Sequence, residues 1–135
     1  MKTNELRIGN YISFHNVWYK IVGIDKDRVL IEYHNGETDY CWIDYIQPIE
    51  LTEEVLLKIG FHEGYNKIFI KNTKNDYVKY YITYQHVPDN KYSFVGYGYK
   101  NNVQIKCVIL NDIKYLHQLQ NACFLLTNEE LEVEL

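Results

Sequence analysis

Arginine is nearly missing from this chain: Arg7 and Arg28 stand against twelve lysines, and no arginine falls between residues 62 and 115. That stretch therefore lacks the planar fork with which proteins grip phosphate in a bidentate manner. Cysteine is also sparse. Cys41, Cys107 and Cys123 form an odd, widely spaced set, neither a disulfide framework nor the close pairs of a zinc site, and read as reduced core residues. No apolar run approaches the ~20 residues that span a bilayer, and the start MKTNELRIGN lacks the apolar core of a signal peptide. The expectation is a cytoplasmic protein. His15, His34, His62, His86 and His117 are scattered without metal-site spacing and are expected at the surface. Gly96-Tyr97-Gly98 is too short for a phosphate loop and reads as a strand with a kink or bulge. No nucleophile, metal cluster or matched acid-base pair can be named, so the chain reads as non-enzymatic and calls for no cofactor or metal.

What the chain has in abundance is tyrosine. Nine of its 14 tyrosines lie between His62 and Tyr115, together with eight lysines and four acidic residues. The first 50 residues carry the opposite balance, five basic against eight acidic, and formal net charge is −4. A general nucleic-acid binder of the strongly basic kind is thereby disfavoured, while the middle of the chain is locally basic.

The first 50 residues read as a β-meander. Ile8 to Phe14, Val17 to Ile24, Arg28 to Tyr33 and Thr38 to Ile46 are rich in β-branched and aromatic residues, and turns fall at His15-Asn16, Asp25 to Asp27 and His34 to Gly36. Asn35-Gly36 suits a two-residue hairpin turn with positive φ. So many short strands in so few residues suggest a small SH3-like barrel, with Gly9 and Gly23 at bends. Thr52 then caps a short helix that Gly60 ends. Strands follow at Lys67 to Lys71, Tyr77 to Gln85, Tyr92 to Tyr99 and Val103 to Leu110, and Asn111-Asp112 is expected to cap a longer helix. Thr127 to Glu130 has the form of another capping box. The expected class is α+β: residues 1–50 as the SH3-like meander, and residues 51–135 as a helix, a four-stranded antiparallel sheet and a C-terminal helix packed against it.

Strand alternation divides the tyrosine block. Val78, Tyr80, Ile82 and Tyr84 share one face, read as core with Tyr92, while Tyr77, Lys79, Tyr81, Thr83 and Gln85 share the other. Lys91, Ser93, Tyr97 and Tyr99 extend that second face, and Lys106 lies on the next strand beside Gln104 and Val108. Tyr77, Lys79, Tyr81, Lys91, Tyr97, Tyr99 and Lys106 are the candidate ligand-binding set. Rings that stack, set among ammonium groups, fit single-stranded nucleic acid or a nucleotide-like anion. The same residues also suit an ordinary half-exposed sheet with lysine at its edges. Glu37, Asp39 and Asp44 around Trp42 read as solvated charges on a strand.

Asn4 to Asn10, Pro48 to Glu54 with Leu57 to Phe61, Tyr115 to Asn121 and Leu126 to Leu131 resemble a group of small uncharacterised proteins encoded by phages and prophages of gut Bacteroidetes. The resemblance spans most of the chain outside Gly64 to Val108 and implies a setting, a phage accessory protein in a host bacterial cytoplasm, without a ligand or site residue. The expected function is a counter-defence protein that sequesters a nucleotide-derived immune signal or binds a host defence protein, as a homo-oligomer. The alternative is a nucleic-acid-binding accessory of phage replication or transcription. No membrane partner is expected.

Overall fold

The computed structural model describes residues 1–64, 68–72, 78–85, 91–100, 103–131 and 133. Contacts divide the chain into two units, Met1–Glu50 with Tyr115–Asn121, and Leu51–Lys114 with Ala122–Leu135.

In the first unit the strands β1 (Tyr11–Phe14), β2 (Val17–Ile24), β3 (Arg28–Glu32) and β4 (Thr38–Trp42) pair antiparallel in chain order. Alternation fixes which side is buried: Ile12, Ile21, Val29, Ile31 and Cys41 point inward and form a core with Leu6 and Ile46. The tightest turn joins Phe14 to Val17, where His15 (φ 50°) and Asn16 (φ 63°) both take left-handed conformations, as a primed two-residue turn requires. The expectation for Asn35-Gly36 is corrected. Only Gly36 has positive φ (85°), in a longer connection in which the Tyr33 and Glu37 backbones bond and Asn35 Oδ1 accepts from the Glu37 N–H. The β2–β3 register slips between Ile21 and Gly23. After β4 a 3₁₀ turn (Ile43–Tyr45) leads to Gln47, which exchanges both backbone hydrogen bonds with Ser13 of β1, at 2.9 and 2.8 Å. The ladders themselves stop short of the closed SH3-like barrel expected from sequence.

In the second unit the helix α1 (Glu53–Lys58) starts where the Thr52 side chain accepts from the Val55 N–H at 3.1 Å, and Gly60 (φ 96°) follows its end. A five-stranded antiparallel sheet follows, in the order β5 (His62–Glu63), β6 (Ile68–Asn72), β7 (Val78–Gln85), β8 (Lys91–Lys100) and β9 (Val103–Ile113). Its four long strands are those expected; the two-residue β5 is additional. Phe69, Tyr80, Ile82, Tyr92 and Phe94 are buried at 3% exposure or less, so Tyr80 and Tyr92 are core tyrosines. The Tyr80 and Phe94 rings lie 5.6 Å apart. A Cβ on Gly96 would come within 2.6 Å of a Leu126 methyl, so this position admits the helix side chain only because it has none of its own.

The helix α2 (Leu116–Thr127) begins later than expected. Asn111 and Asp112 do not cap it: β9 runs on until Ile113 pairs with Tyr92, and Asp112 takes a left-handed φ of 63°. The helix start is instead held by Gln118, whose side chain reaches back to accept from the Tyr115 N–H at 3.0 Å, one half of a capping box. Thr127 to Glu130 also departs from expectation, since it stops a helix. Asn128 turns left-handed (φ 57°) with its N–H on the Phe124 carbonyl, while Thr127 Oγ1 donates to the Cys123 carbonyl and accepts from the Glu129 N–H. Among the described residues, no helix is long and apolar enough to cross a membrane.

Candidate functional site

Backbone register locates the lysine and tyrosine positions singled out by the sequence. Lys79 lies directly opposite Tyr97, Tyr81 opposite Val95, and Gln85 opposite Lys91. Positions 79, 81, 91 and 97 thus share one alternation phase across β7 and β8. The other phase holds the sealed Tyr80, Ile82, Tyr92 and Phe94, whereas Ser93 and Val95, which belong to the lysine-tyrosine phase, are only half-buried. Tyr99 keeps the phase of Tyr97 along β8, but Lys106 is placed differently: it pairs with Gly98, in the opposite phase, and the register then slips by one residue on β9 so that Tyr99 pairs with Gln104. Gly96, Tyr97 and Gly98 themselves pair in regular register, and the extra residue of the shift that follows them, Ile105, belongs to β9. Tyr77 lies outside the described residues, as do the side chains of the other six candidates and of Tyr84.

A second surface belongs to the first unit. Tyr40, Trp42 and Tyr45 are 54%, 55% and 66% exposed, uncommon values for such large rings. Tyr40 and Trp42 are two apart on β4, and their partners on β3 are Leu30 and Arg28. The Arg28 guanidinium sits 4.1 Å from the centre of the Tyr40 ring and 5.8 Å from that of Trp42, and donates to Asp25 Oδ2 at 2.8 Å. This hydrogen bond, with a second from the Lys26 N–H, holds the Asp25 carboxyl below its ordinary range. The acids Glu37, Asp39 and Asp44, expected as solvated charges, are exposed as well.

Inside the first unit lies a cluster of amides. A turn at Arg7 to Asn10, with Gly9 at φ 100°, closes through the Arg7 N–H on Asn10 Oδ1 (2.7 Å). Asn121 Oδ1 accepts from Asn10 Nδ2 (2.8 Å) and Arg7 Nε (3.2 Å), while Gln120 accepts from the Tyr11 N–H (2.9 Å) and donates to the Gly9 carbonyl (3.0 Å). Asn10 and Gln120 are fully buried, so their side chains depend on these bonds, while Arg7, Tyr11 and Asn121 are half-buried. Beside them His117 is 2% exposed and stacked on Tyr115, with ring centres 5.7 Å apart and planes 10° from parallel. This corrects the surface placement expected of it; His15, His34 and His62 are exposed, and His86 lies outside the described residues. His117 Nδ1 is buried without a hydrogen-bond partner. Burial pushes its pKa down, with Glu5 opposing and the N-terminal amine assisting.

Neither described cysteine is placed as a nucleophile, and the Cys107 side chain lies outside the described residues. Cys123 is fully buried and Cys41 nearly so, and burial raises both thiols above their ordinary pKa, the reverse of an activated cysteine. Asp39 is engaged by the Tyr40 N–H (2.8 Å) and the Tyr33 hydroxyl (3.4 Å). Among the described residues no cluster of three or more His, Cys, Asp or Glu side chains is placed to hold a metal. No family model, curated protein or solved structure matches the chain.

Proposed function

We propose that this chain is a non-enzymatic binding protein that captures a flat, anionic, nucleotide-like ligand on the lysine-tyrosine phase of its second sheet. The observation that carries this reading is the direct pairing of Lys79 with Tyr97, with Tyr81 and Lys91 in the same phase of the same two strands. A cross-strand Lys-Tyr pair sets a cationic and an aromatic residue at neighbouring positions, so that one ligand can meet a charge for its phosphate and a ring for its base. A protein that sequesters such a molecule needs no reacting group. In the phage setting implied by the resemblance of its ends, the ligand class is a nucleotide-derived immune signal, held by a homo-oligomer in the host cytoplasm. The first sheet fits an SH3-like barrel in this reading, because a 3₁₀ turn followed by a strand residue bonded back to β1 is how a short meander closes on itself.

Isothermal titration with cyclic nucleotides and ADP-ribose derivatives tests the proposal. Micromolar binding is expected, weakened about tenfold by Lys79→Ala or Tyr97→Ala, equivalent to roughly 1.4 kcal/mol. If none of these ligands binds, the sequestration reading is wrong. Retention of single-stranded DNA that fades steeply with salt would instead favour the nucleic-acid accessory.

A further inference from the structure

The first unit carries its own demonstration of what its exposed rings accept. The Arg28 guanidinium sits over the Tyr40 ring while Asp25 neutralises it. Arg28 thereby fills one face of Tyr40, but Trp42 and Tyr45 remain more than half exposed beyond it. Acidic groups predominate in this part of the chain: residues 25 to 45 contain two basic and six acidic side chains, a net of −4, and all six acids are exposed. A polyanion would meet repulsion at this surface, whereas a guanidinium would find a ring to stack on and a carboxylate to pair with, repeating the Arg28 arrangement.

The edge of the sheet narrows how such a partner docks. β4 is the terminal strand, and the Tyr40 N–H is taken by the Asp39 carboxylate next to it. A carboxylate on an edge amide blunts the addition of another strand. What the surface offers is therefore the side-chain face.

We propose that the outer face of β3 and β4, centred on Trp42 and Tyr40 with Asp44 and Asp27 at its rim, is a docking site for an arginine-bearing basic segment of a partner protein. The site is separate from the lysine-tyrosine phase and selects the opposite charge. It stands or falls independently of the ligand proposed there.

The test uses the full chain and three probes: hexa-arginine, hexa-lysine and a short oligothymidylate, followed by the indole N–H signals in NMR and by titration calorimetry. Hexa-arginine is expected to bind and shift the Trp42 signal, several-fold more tightly than hexa-lysine, because the guanidinium also stacks. Trp42→Ala should weaken it about five- to tenfold. Asp44→Asn, an exposed change that preserves the strand ladder, should weaken it about threefold, so misfolding of the alanine variant would not shield the proposal. Hexa-arginine affinity unchanged in both variants, or oligothymidylate alone binding and shifting the Trp42 signal, would overturn it.

Discussion

The two units keep polarity out of water in contrasting ways. The first buries amides: Asn10 and Gln120 have no exposed surface, and their hydrogen bonds are short and directed at backbone groups and at Asn121. The second buries rings and aliphatic chains, and the Tyr80 hydroxyl reaches the Cys123 carbonyl and Thr127 Oγ1 only at 3.4 Å. A buried amide network stabilises little in net terms but punishes any missing member, since the partner left behind loses both protein and water. A hydroxyl held as loosely as that of Tyr80 carries less of that sensitivity. The first unit thus favours one arrangement of chain segments, and the second tolerates local change.

Three measurements press on this contrast. Gln120→Ala should lower stability by about 3 kcal/mol, read as a urea midpoint shift, because it strands the Tyr11 N–H and the Gly9 carbonyl together. A cost under about 1 kcal/mol would mean that water replaces the amide, and the contrast would lose its basis. His117 gives the next effect. Its folded pKa lies below the unfolded value of 6.5, so the unfolded chain binds the extra proton first. Stability from this group is complete above pH 6.5 and is lost as pH falls through the depressed folded value. Midpoints at about pH 7.5 and pH 5.5 should therefore diverge more in the native chain than in His117→Gln. Equal pH dependence would show that the imidazole reaches water or a counter-charge. The smallest change is expected in the second unit, where Tyr80→Phe removes two long bonds and costs less than about 1 kcal/mol. A larger loss would place a hydrogen bond at the centre of that core too.

Elements governed by alternation and turn chemistry were legible in the sequence. The four strands of the meander, the Thr52 cap and the buried Tyr80 and Tyr92 all follow from residues acting on their immediate neighbours. Where tertiary pairing outweighed a local signal, the reading missed. Asn111-Asp112 has the chemistry of a helix cap, but extending β9 lets Ile113 pair with Tyr92 and be buried at 3% exposure. A polar dipeptide does not reveal that competition. Similarly, His15-Asn16 carries the primed turn although Asn35-Gly36 has the stronger local preference, because two residues separate the first pair of strands and five the second. For the site, the shared phase of positions 79, 81, 91, 97 and 99 was readable from period two, but the cross-strand register that sets Lys106 opposite Gly98, in the other phase, was not. The exposed rings of Tyr40 and Trp42 were legible as a pair; their exposure depends on what covers a sheet, which alternation does not say.

The bond between Asn10 and Asn121 joins residues 111 apart in the chain. During synthesis the meander has all its strands by Trp42, long before the amides that complete its unit leave the ribosome. At about 5–20 residues per second, the turn at Arg7 to Asn10 waits several seconds with its polar groups still in water. Truncation just before Gln120 would leave every strand of the meander in the chain and yet remove the groups that fasten the segment from Glu5 to Tyr11, so the integrity of that early segment is decided by a helix made more than a hundred residues later.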